Sequence, residues 1–531
     1  MKQFYYRGEP QVWLTAAALA FTLLMALTLI LVVMFNGLGA FWPKRLATLE
    51  LNNGQAIMGQ VLKEEPRPYD DGTRMQLKVG NRDLYGLDFR WVDEDKVERL
   101  YYQEDAVTVE RETYGDFYGF LSAVVLPDET RNSGDLWQIL QQERDAALKI
   151  KDKVEKIGEK ISKLNYAMED VRNTVLELDY KGVPADAQPR KELAHKSEAL
   201  EEQFQALVKK QRAHEADMAL YVAEFEDVNG RGVEVPLAEI VRTYKPNQMN
   251  TLERAGVYAS KLLELFYADP RESNTEGGLF PAIFGTVLLI FVMSLFSFPL
   301  GVVAAIYLSE YAGDGPMVRM VRIAVNNLAG IPSIVYGIFG LGFFIYGLGG
   351  TIDQLFFPER LPTPTFGTGG LLWASLTLAL LTVPVVIVTT EEALSAIPGG
   401  VREGSLALGS TRFQTLVRIL IPMASPGIMT GLILSMARAA GEVAPLMITG
   451  VVKLAPALPL DGQFPFLHLD RKFMHLGFHI YDMGFQSPNV EAARPMVFVT
   501  TLLLVLIVLV MSAVAIRLRN KMKKKYTFGT F

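Results

Sequence analysis

The chain has 531 residues, half of them apolar, a mean hydropathy of +0.20 and a formal charge of −6. That length holds a membrane domain plus one more, and the acidic balance argues against a nucleic-acid partner. No cysteine occurs, so an exported domain would rest on its own packing, without disulfides.

Six apolar runs are long enough to cross a bilayer, which takes about 20 residues. They lie at about Val12 to Phe35, Leu279 to Tyr307, Ile323 to Leu348, Leu371 to Thr389, Pro426 to Val452 and Met496 to Ile516. The first is longer than a signal-peptide core and no clear small-residue cleavage site follows it, so residues 1–36 read as a cytoplasmic tail and a retained anchor. Lys2 and Arg7 precede this run, and Arg319 and Arg322 lie between the second and third. Arg402, Arg412 and Arg418 fall between the fourth and fifth, and Arg517, Arg519, Lys521, Lys523, Lys524 and Lys525 follow the sixth. Cytoplasmic termini satisfy every cluster and leave residues 37–275 outside, in the periplasm of a Gram-negative cell. The basic tail, 521–531, would also attract anionic membrane lipid, but it reads first as a topology signal.

The external insertion has two textures. Short alternating segments such as Thr48-Leu49-Glu50-Leu51 and Met75-Gln76-Leu77-Lys78-Val79 predict a small β subdomain over about 45–127, completed by 228–246 around Val233-Glu234-Val235. Between them Ile150, Val154, Ile157, Ile161, Leu164, Met168, Val171, Val175 and Leu178 alternate spacings of four and three, a coiled-coil seam. Gly182, Pro184 and Pro189 interrupt it, and Leu193, Leu200, Phe204, Leu207, Met218, Tyr221 and Phe225 continue on a second helix. An antiparallel hairpin over about 135–227 follows, long enough to project well beyond the membrane and hold an unknown partner, or to act as a spacer or self-association device.

Between the fourth and fifth runs stands Glu403-Gly404-Ser405-Leu406-Ala407-Leu408-Gly409, and nine residues later Ile419-Leu420-Ile421-Pro422. Gly409 suits a left-handed helix end, Thr411 with Gln414 suits a capping box opening the next helix, and Pro422 is expected to limit that helix. The spacing resembles the EAA loop through which importer permeases of the MetI-like kind meet their ATPases. Gly404 and Ser405 stand for the two alanines, and Ile421 for the leucine before proline. The alternative is an ordinary amphipathic cytosolic loop.

From about Gly277 onward the chain resembles phosphate ABC importer permeases of the PstA type. The matching segments are Phe280-Pro281-Ala282-Ile283-Phe284-Gly285-Thr286, Ala305-Ile306-Tyr307-Leu308-Ser309-Glu310-Tyr311 and Asn327 through Gly337. Further matches are Glu391-Glu392-Ala393-Leu394, Ala437-Arg438-Ala439-Ala440-Gly441-Glu442 with Ala444-Pro445, and Glu491-Ala492-Ala493-Arg494-Pro495. Val443 stands where the family has Thr.

The resemblance implies a mainly α-helical integral membrane protein with six transmembrane helices, whose permease core occupies 276–520. It implies no enzymatic activity in this chain: ATP and Mg belong to a PstB-like ATPase dimer, while a PstC-like second permease shares the path and a PstS-like binding protein delivers phosphate. The coupling loop would comprise Arg402, Glu403, Gly404, Ser405, Ala407, Gly409, Ile419 and Pro422. In the fifth run, where a charge costs about 2.5 to 3.5 kcal/mol, Arg438 and Glu442 share a helix face and are expected on the substrate path, with a purely structural ion pair as the alternative. Gly431, Gly441, Gly337, Gly340 and Pro332-Ser333 read as packing or bending positions. No phosphate-binding ATPase loop occurs. His475 and His479, with His468 near, would reach one metal if helical, but no ligand set completes such a site and they read as solvated loop histidines. An importer of sulfate, molybdate or tungstate, and an interaction or phosphate-signalling protein on the same fold, remain alternatives.

Overall fold

A computed structural model describes residues 9–526 apart from 69, 314 and 488, with side chains from 11 to 524. Lys2, Arg7 and residues 527–531 of the basic tail lie outside the described residues, as does the side chain of Lys525.

Six helices are long and apolar enough to cross a membrane: Gln11–Gly39, Phe280–Tyr311, Ser333–Phe356, Leu371–Ser395, Arg412–Gly441 and Val490–Lys524. The fourth is the axis, with 67% of its apolar window buried against the second and fifth, whereas the first is flanked only by the sixth. Close approach comes from small residues: a Cβ built on Gly301 would lie 2.6 Å from Val386, and one on Gly427 2.4 Å from Ala393.

Two prolines move the span boundaries in opposite directions. The run expected at 323–348 is split, because Pro332 disfavours helix in the residue before it and itself caps Ser333. Residues upstream form a separate amphipathic helix, Pro316–Leu328, which exposes Met317, Met320 and Ile323. Pro422, expected to stop its helix, is carried inside one continuous helical run from Arg412 to Gly441. A π-helical segment at Leu416–Leu420 directly precedes it and relieves the hydrogen bond and space that proline denies an α-helix. The fifth span therefore begins in the docking loop and ends at Gly441, not at 452. The last helix, Val490–Tyr526, likewise runs past the expected end at 516 into the basic tail.

The insertion folds into two large antiparallel sheets, and a two-stranded ribbon pairing Pro270–Arg271 with Glu276–Gly277 lies at its end. In chain order β1 is Leu46–Leu51, β2 Ala56–Pro66, β3 Thr73–Lys78, β4 Phe89–Asp93, β5 Val97–Tyr101, β6 Val107–Arg111, β7 Asp116–Val125, β8 Thr130–Arg131, β9 Val222–Glu226, β10 Gly232–Pro236 and β11 Ile240–Tyr244. One sheet has the order β4-β3-β2-β1-β5, the other β10-β9-β7-β6-β11 with β8 on β7. Helices α1 (Leu136–Tyr180) and α2 (Gln188–Met218) pack on each other between β8 and β9. Tyr221 and Phe225, counted on the second helix from their spacing, lie beyond its end. Phe225 is a fully buried residue of β9, 5.6 Å from Phe117, because Val222-Ala223-Glu224-Phe225 alternates with period two and completes the sheet.

The arm does not stand clear of the membrane domain. Its 45-residue first helix, about 67 Å long, starts on the second sheet through Leu140 and Ala147. It then reaches the loop at Pro358–Arg360, and Tyr166 hydroxyl receives a 2.8 Å hydrogen bond from Arg471 between the fifth and sixth spans.

A buried ionic cluster ties the sheets to the membrane domain. Helix α3 (Thr251–Tyr267), absent from the sequence reading, turns Lys261 and Glu264 inward and exposes Leu263, Phe266 and Tyr267. Lys261 meets Glu110 at 2.5 Å, Lys78 meets Asp116 at 2.6 Å and Glu276 at 3.5 Å, and Arg242 bridges Glu110 and Glu264. Burial next to Asp116 pushes Glu276 up to about 7, whereas Asp116, held by Lys78 and Lys261, falls to about 2. A raised carboxyl stabilises the fold at low pH, and that contribution is lost as pH rises through about 7. Amide protection of 270–277 and of β3 should therefore be higher at pH 5.5 than at pH 8, and Glu276→Gln should flatten this difference in hydrogen-exchange measurements.

Candidate functional site

The candidate coupling loop between the fourth and fifth spans opens after Pro398, which starts the short helix Gly399–Ala407. Gly409 has φ +87°, a left-handed conformation that closes this helix at little steric cost only for glycine. Thr411 and Gln414 then form a complete capping box on the next helix. Ser405, buried, hydrogen-bonds Thr415 at 2.8 Å and fixes the two helices against each other. Ile419 and Pro422 are partly buried at the base of the fifth span. Glu403, Gly404 and Ala407 face outward, beside the exposed Leu408 and Phe413.

Arg402 fastens this unit to the membrane helices. Its guanidinium donates to the Leu394 carbonyl at 2.7 Å, the Ile397 carbonyl at 2.9 Å and Glu310 at 2.8 Å. Glu310 lies in a π-helical turn, Tyr307–Tyr311, at the end of the second span. A second tie lies beside it: Arg322 on Pro316–Leu328 donates to the Leu308 carbonyl at 2.9 Å and sits 3.5 Å from Glu391. Sequence reasoning noted Glu310 and Glu391 only as parts of longer matches. Their signal was a carboxylate at the end of an apolar run, with an arginine in the following cytoplasmic segment.

Arg438 and Glu442 are brought together, but not on one helix face. The fifth span ends at Gly441, and Glu442 is extended, with φ −80° and ψ 132°. A short helix, Ala444–Thr449, follows, and its Pro445 packs on Gly337, where an added Cβ would lie 2.7 Å from the proline Cα. The break directly follows the buried Ala439 and Ala440, while Gly441 itself is exposed. Gly431 abuts Thr389 of the fourth span, and Arg438, seven residues further on, lies about 10 Å beyond that contact. Arg438 Nε and Glu442 Oε1 are 3.7 Å apart, an ion pair too long for a hydrogen bond. No hydrogen bond to another described residue occupies the Arg438 guanidinium, and its side chain is 32% exposed. Gly441 has nothing within 4 Å of a built Cβ, so of the glycines read as packing positions Gly337, Gly340 and Gly431 are in close contact and Gly441 faces open space.

His475 and His479 are not solvated. Both are buried beneath the second and sixth spans: His475 Nδ1 accepts from Gly477 N–H at 3.1 Å, and His479 lies 3.2 Å from the Thr500 hydroxyl. Leu476 N–H, between them, donates to Thr286 at 2.9 Å, which is why this loop folds into the bundle. His468 pairs instead with Asp461. No metal-competent cluster of three such residues occurs among the described residues.

Residues 297–524 match the family described as "Binding-protein-dependent transport system inner membrane component". A phosphate transport system permease protein PstA of Pasteurella multocida is 30% identical over 259 residues, 48% of this chain and 82% of that protein. The chain belongs to the PstA-type family of transport permeases. The PstA of Mycobacterium leprae is 40% identical over 172 residues, 32% of this chain and 51% of that protein, so the chain spans about half the length of this relative. Among solved structures, an inward-facing methionine ABC transporter, MetNI, aligns with a TM-score of 0.35 and 21% identity, over 46% of this chain and 95% of that one. The permease is a multi-pass membrane protein, mainly helical, with two β-sheets inserted after its first span.

A side chain at Gly409 would strain the turn that joins the two docking helices. Gly409→Val should cost about 1–2 kcal/mol locally. Amide exchange over 399–415 should accelerate by roughly tenfold, with the membrane helices unaffected.

Proposed function

We propose that the chain is one of two membrane subunits of an ATP-driven phosphate importer in the bacterial inner membrane. Both termini would be cytoplasmic, and the sheets with their helical arm periplasmic. The observation that carries this reading is the uncommitted Arg438 guanidinium at the helix break that ends the fifth span. Irregular backbone there is tolerated where protein or a water-filled path surrounds it. A planar donor fork beside it matches the paired oxygens of phosphate, and the loosely held Glu442 limits how tightly the anion is retained. The printed names of the PstA relatives support phosphate as that anion.

Coupling would use the other end of the same helix. A PstB-like ATPase dimer, which binds ATP and Mg, would seat on the face of Glu403, Gly404 and Ala407 and on its counterpart in a PstC-like permease. Arg402 ties that face to the second and fourth spans, Ser405 ties it to the foot of the fifth, and the continuous helix from Arg412 to Gly441 leads to the break. Closure of the ATPases would thus move Gly409, Ile419 and Pro422 together with the lower half of this helix, and rock Arg438 between outer and inner exposure. A PstS-like protein would deliver phosphate outside. Helices α1 and α2 would pair as a coiled coil, whose seam runs from Ile150 to Leu178.

The test is ATP-dependent uptake in proteoliposomes holding this chain, the second permease, the ATPase and the binding protein. Arg438→Gln should lower phosphate uptake by about 10- to 100-fold, the size of a lost charge-assisted bond, with assembly intact. Uptake within twofold of native would remove Arg438 from the path, and uptake of sulfate or molybdate without phosphate would replace the substrate.

A further inference from the structure

A cavity of about 400 Å³ lies where the inserted sheets meet the ends of the first and sixth spans. Its volume is in the range of small-molecule sites, and its walls are of two kinds. Phe41, Trp42 and Met496 form an apolar side continuous with the two spans. Trp42 pairs with Tyr258 of α3, centroids 5.6 Å apart, the interfacial aromatic arrangement expected at a membrane surface. The same helix exposes Leu263, Phe266 and Tyr267 on its outer face, so the rim of the cavity lies at the level of lipid headgroups.

The opposite side is charged and incompletely matched. Lys78 and Lys261 are committed to Asp116, Glu276 and Glu110. Lys44 is not: its ammonium reaches only the Val61 and Leu62 carbonyls, at 3.4 and 3.3 Å, and has no carboxylate partner among the described residues. Burial without a counter-charge pushes its pKa down, as expected for a cation that lacks its anion. Arg271 Nε, in the same wall, is buried without a hydrogen-bond partner. Seven carboxyl groups share the lining, and of these Asp88 and Glu491 have no ion-pair partner among the described residues, so the space presents a free cation and free carboxylates.

We propose that this cavity holds the headgroup of a zwitterionic phospholipid of the phosphatidylethanolamine class, its phosphate at Lys44 and its ammonium toward Glu491. The acyl chains would leave along the groove between the first and sixth spans, where Gly37 brings the helices close: a Cβ there would lie 3.3 Å from the Phe498 backbone. A purely anionic headgroup is disfavoured by the carboxylates, and a plain cation by Lys44 and Arg271. Bound lipid would bridge the anchor, the inserted sheets and the last span, elements that otherwise meet here through the Gln76–Glu491 and Asn489–Asp88 hydrogen bonds of 2.9 and 2.8 Å.

The test uses the full chain extracted from vesicles of equal phosphatidylethanolamine and phosphatidylglycerol and examined by native mass spectrometry. One phosphatidylethanolamine should be retained at least tenfold over phosphatidylglycerol. Lys44→Gln should reduce retention about fivefold or more, and Ala40→Trp, which fills the space from its rim without touching the ionic cluster, should abolish it. Equal retention of the two lipids, no retained lipid, or retention unchanged in both variants would overturn the proposal. So would displacement of the lipid by inorganic phosphate, which would assign the site to the free anion.

Discussion

The break in the fifth span can exist only where lipid does not reach it. A bilayer supplies no hydrogen-bond partners, so each backbone group freed at Gly441–Val443 must be met by protein or water. Packing shelters part of it, since Ala439, Ala440 and Pro445 are buried, and leaves Gly441 open. Gly337 and Gly340 let the third span approach the short helix Ala444–Thr449 and the fourth span, Gly431 lets the fifth approach the fourth, and Pro445 sits directly on Gly337. Beside this partly sheltered break a guanidinium becomes tolerable, held by Glu442 at a distance that neutralises without consuming its donors.

Rigidity on either side of the break is what makes it useful. The helix from Arg412 to Gly441 spans 30 residues, about 45 Å, and carries two prolines, Pro422 and Pro426, the first preceded by a π-helical segment that accommodates it. At its foot, the docking helix is fixed by one buried hydroxyl pair and by an arginine with acceptors on three segments. A displacement at the docking face is therefore transmitted as a body. The inserted domain adds a second constraint on the opposite side: α1 extends from the sheets to Arg471 and the 358–360 loop, so loops flanking four spans share one strut.

Much of this was legible in the sequence, and the remainder has identifiable causes. Six spans could be counted because crossing a bilayer demands long apolar runs, and the docking turn could be placed because Gly409, Thr411 and Gln414 act locally. Prolines misled, since Pro332 begins a helix while Pro422 is carried through one, a difference decided by hydrogen bonding that residue type does not encode. The heptad seam named the helices but overran into β9, where Phe225 satisfies both a heptad and a strand period. Glu310 with Arg402, Tyr166 with Arg471, and the cluster around Glu276 join residues 92, 305 and 198 positions apart, beyond the reach of any local pattern. Arg438 was found by its charge in an apolar run and Gly441 as a packing or bending position, but the end of the span there, which leaves Glu442 extended, was not.

If Arg438 lines the proposed path, the space beside Gly441 opens alternately to the two sides of the membrane. The chain has no cysteine, so Gly441→Cys introduces a single thiol for membrane-impermeant labelling in the reconstituted complex. The account predicts labelling from one side without nucleotide and from the other with ATP trapped, the rates differing at least tenfold, with phosphate slowing both. A thiol unreactive from either side in every nucleotide state, or reactive equally from one side throughout, would contradict it.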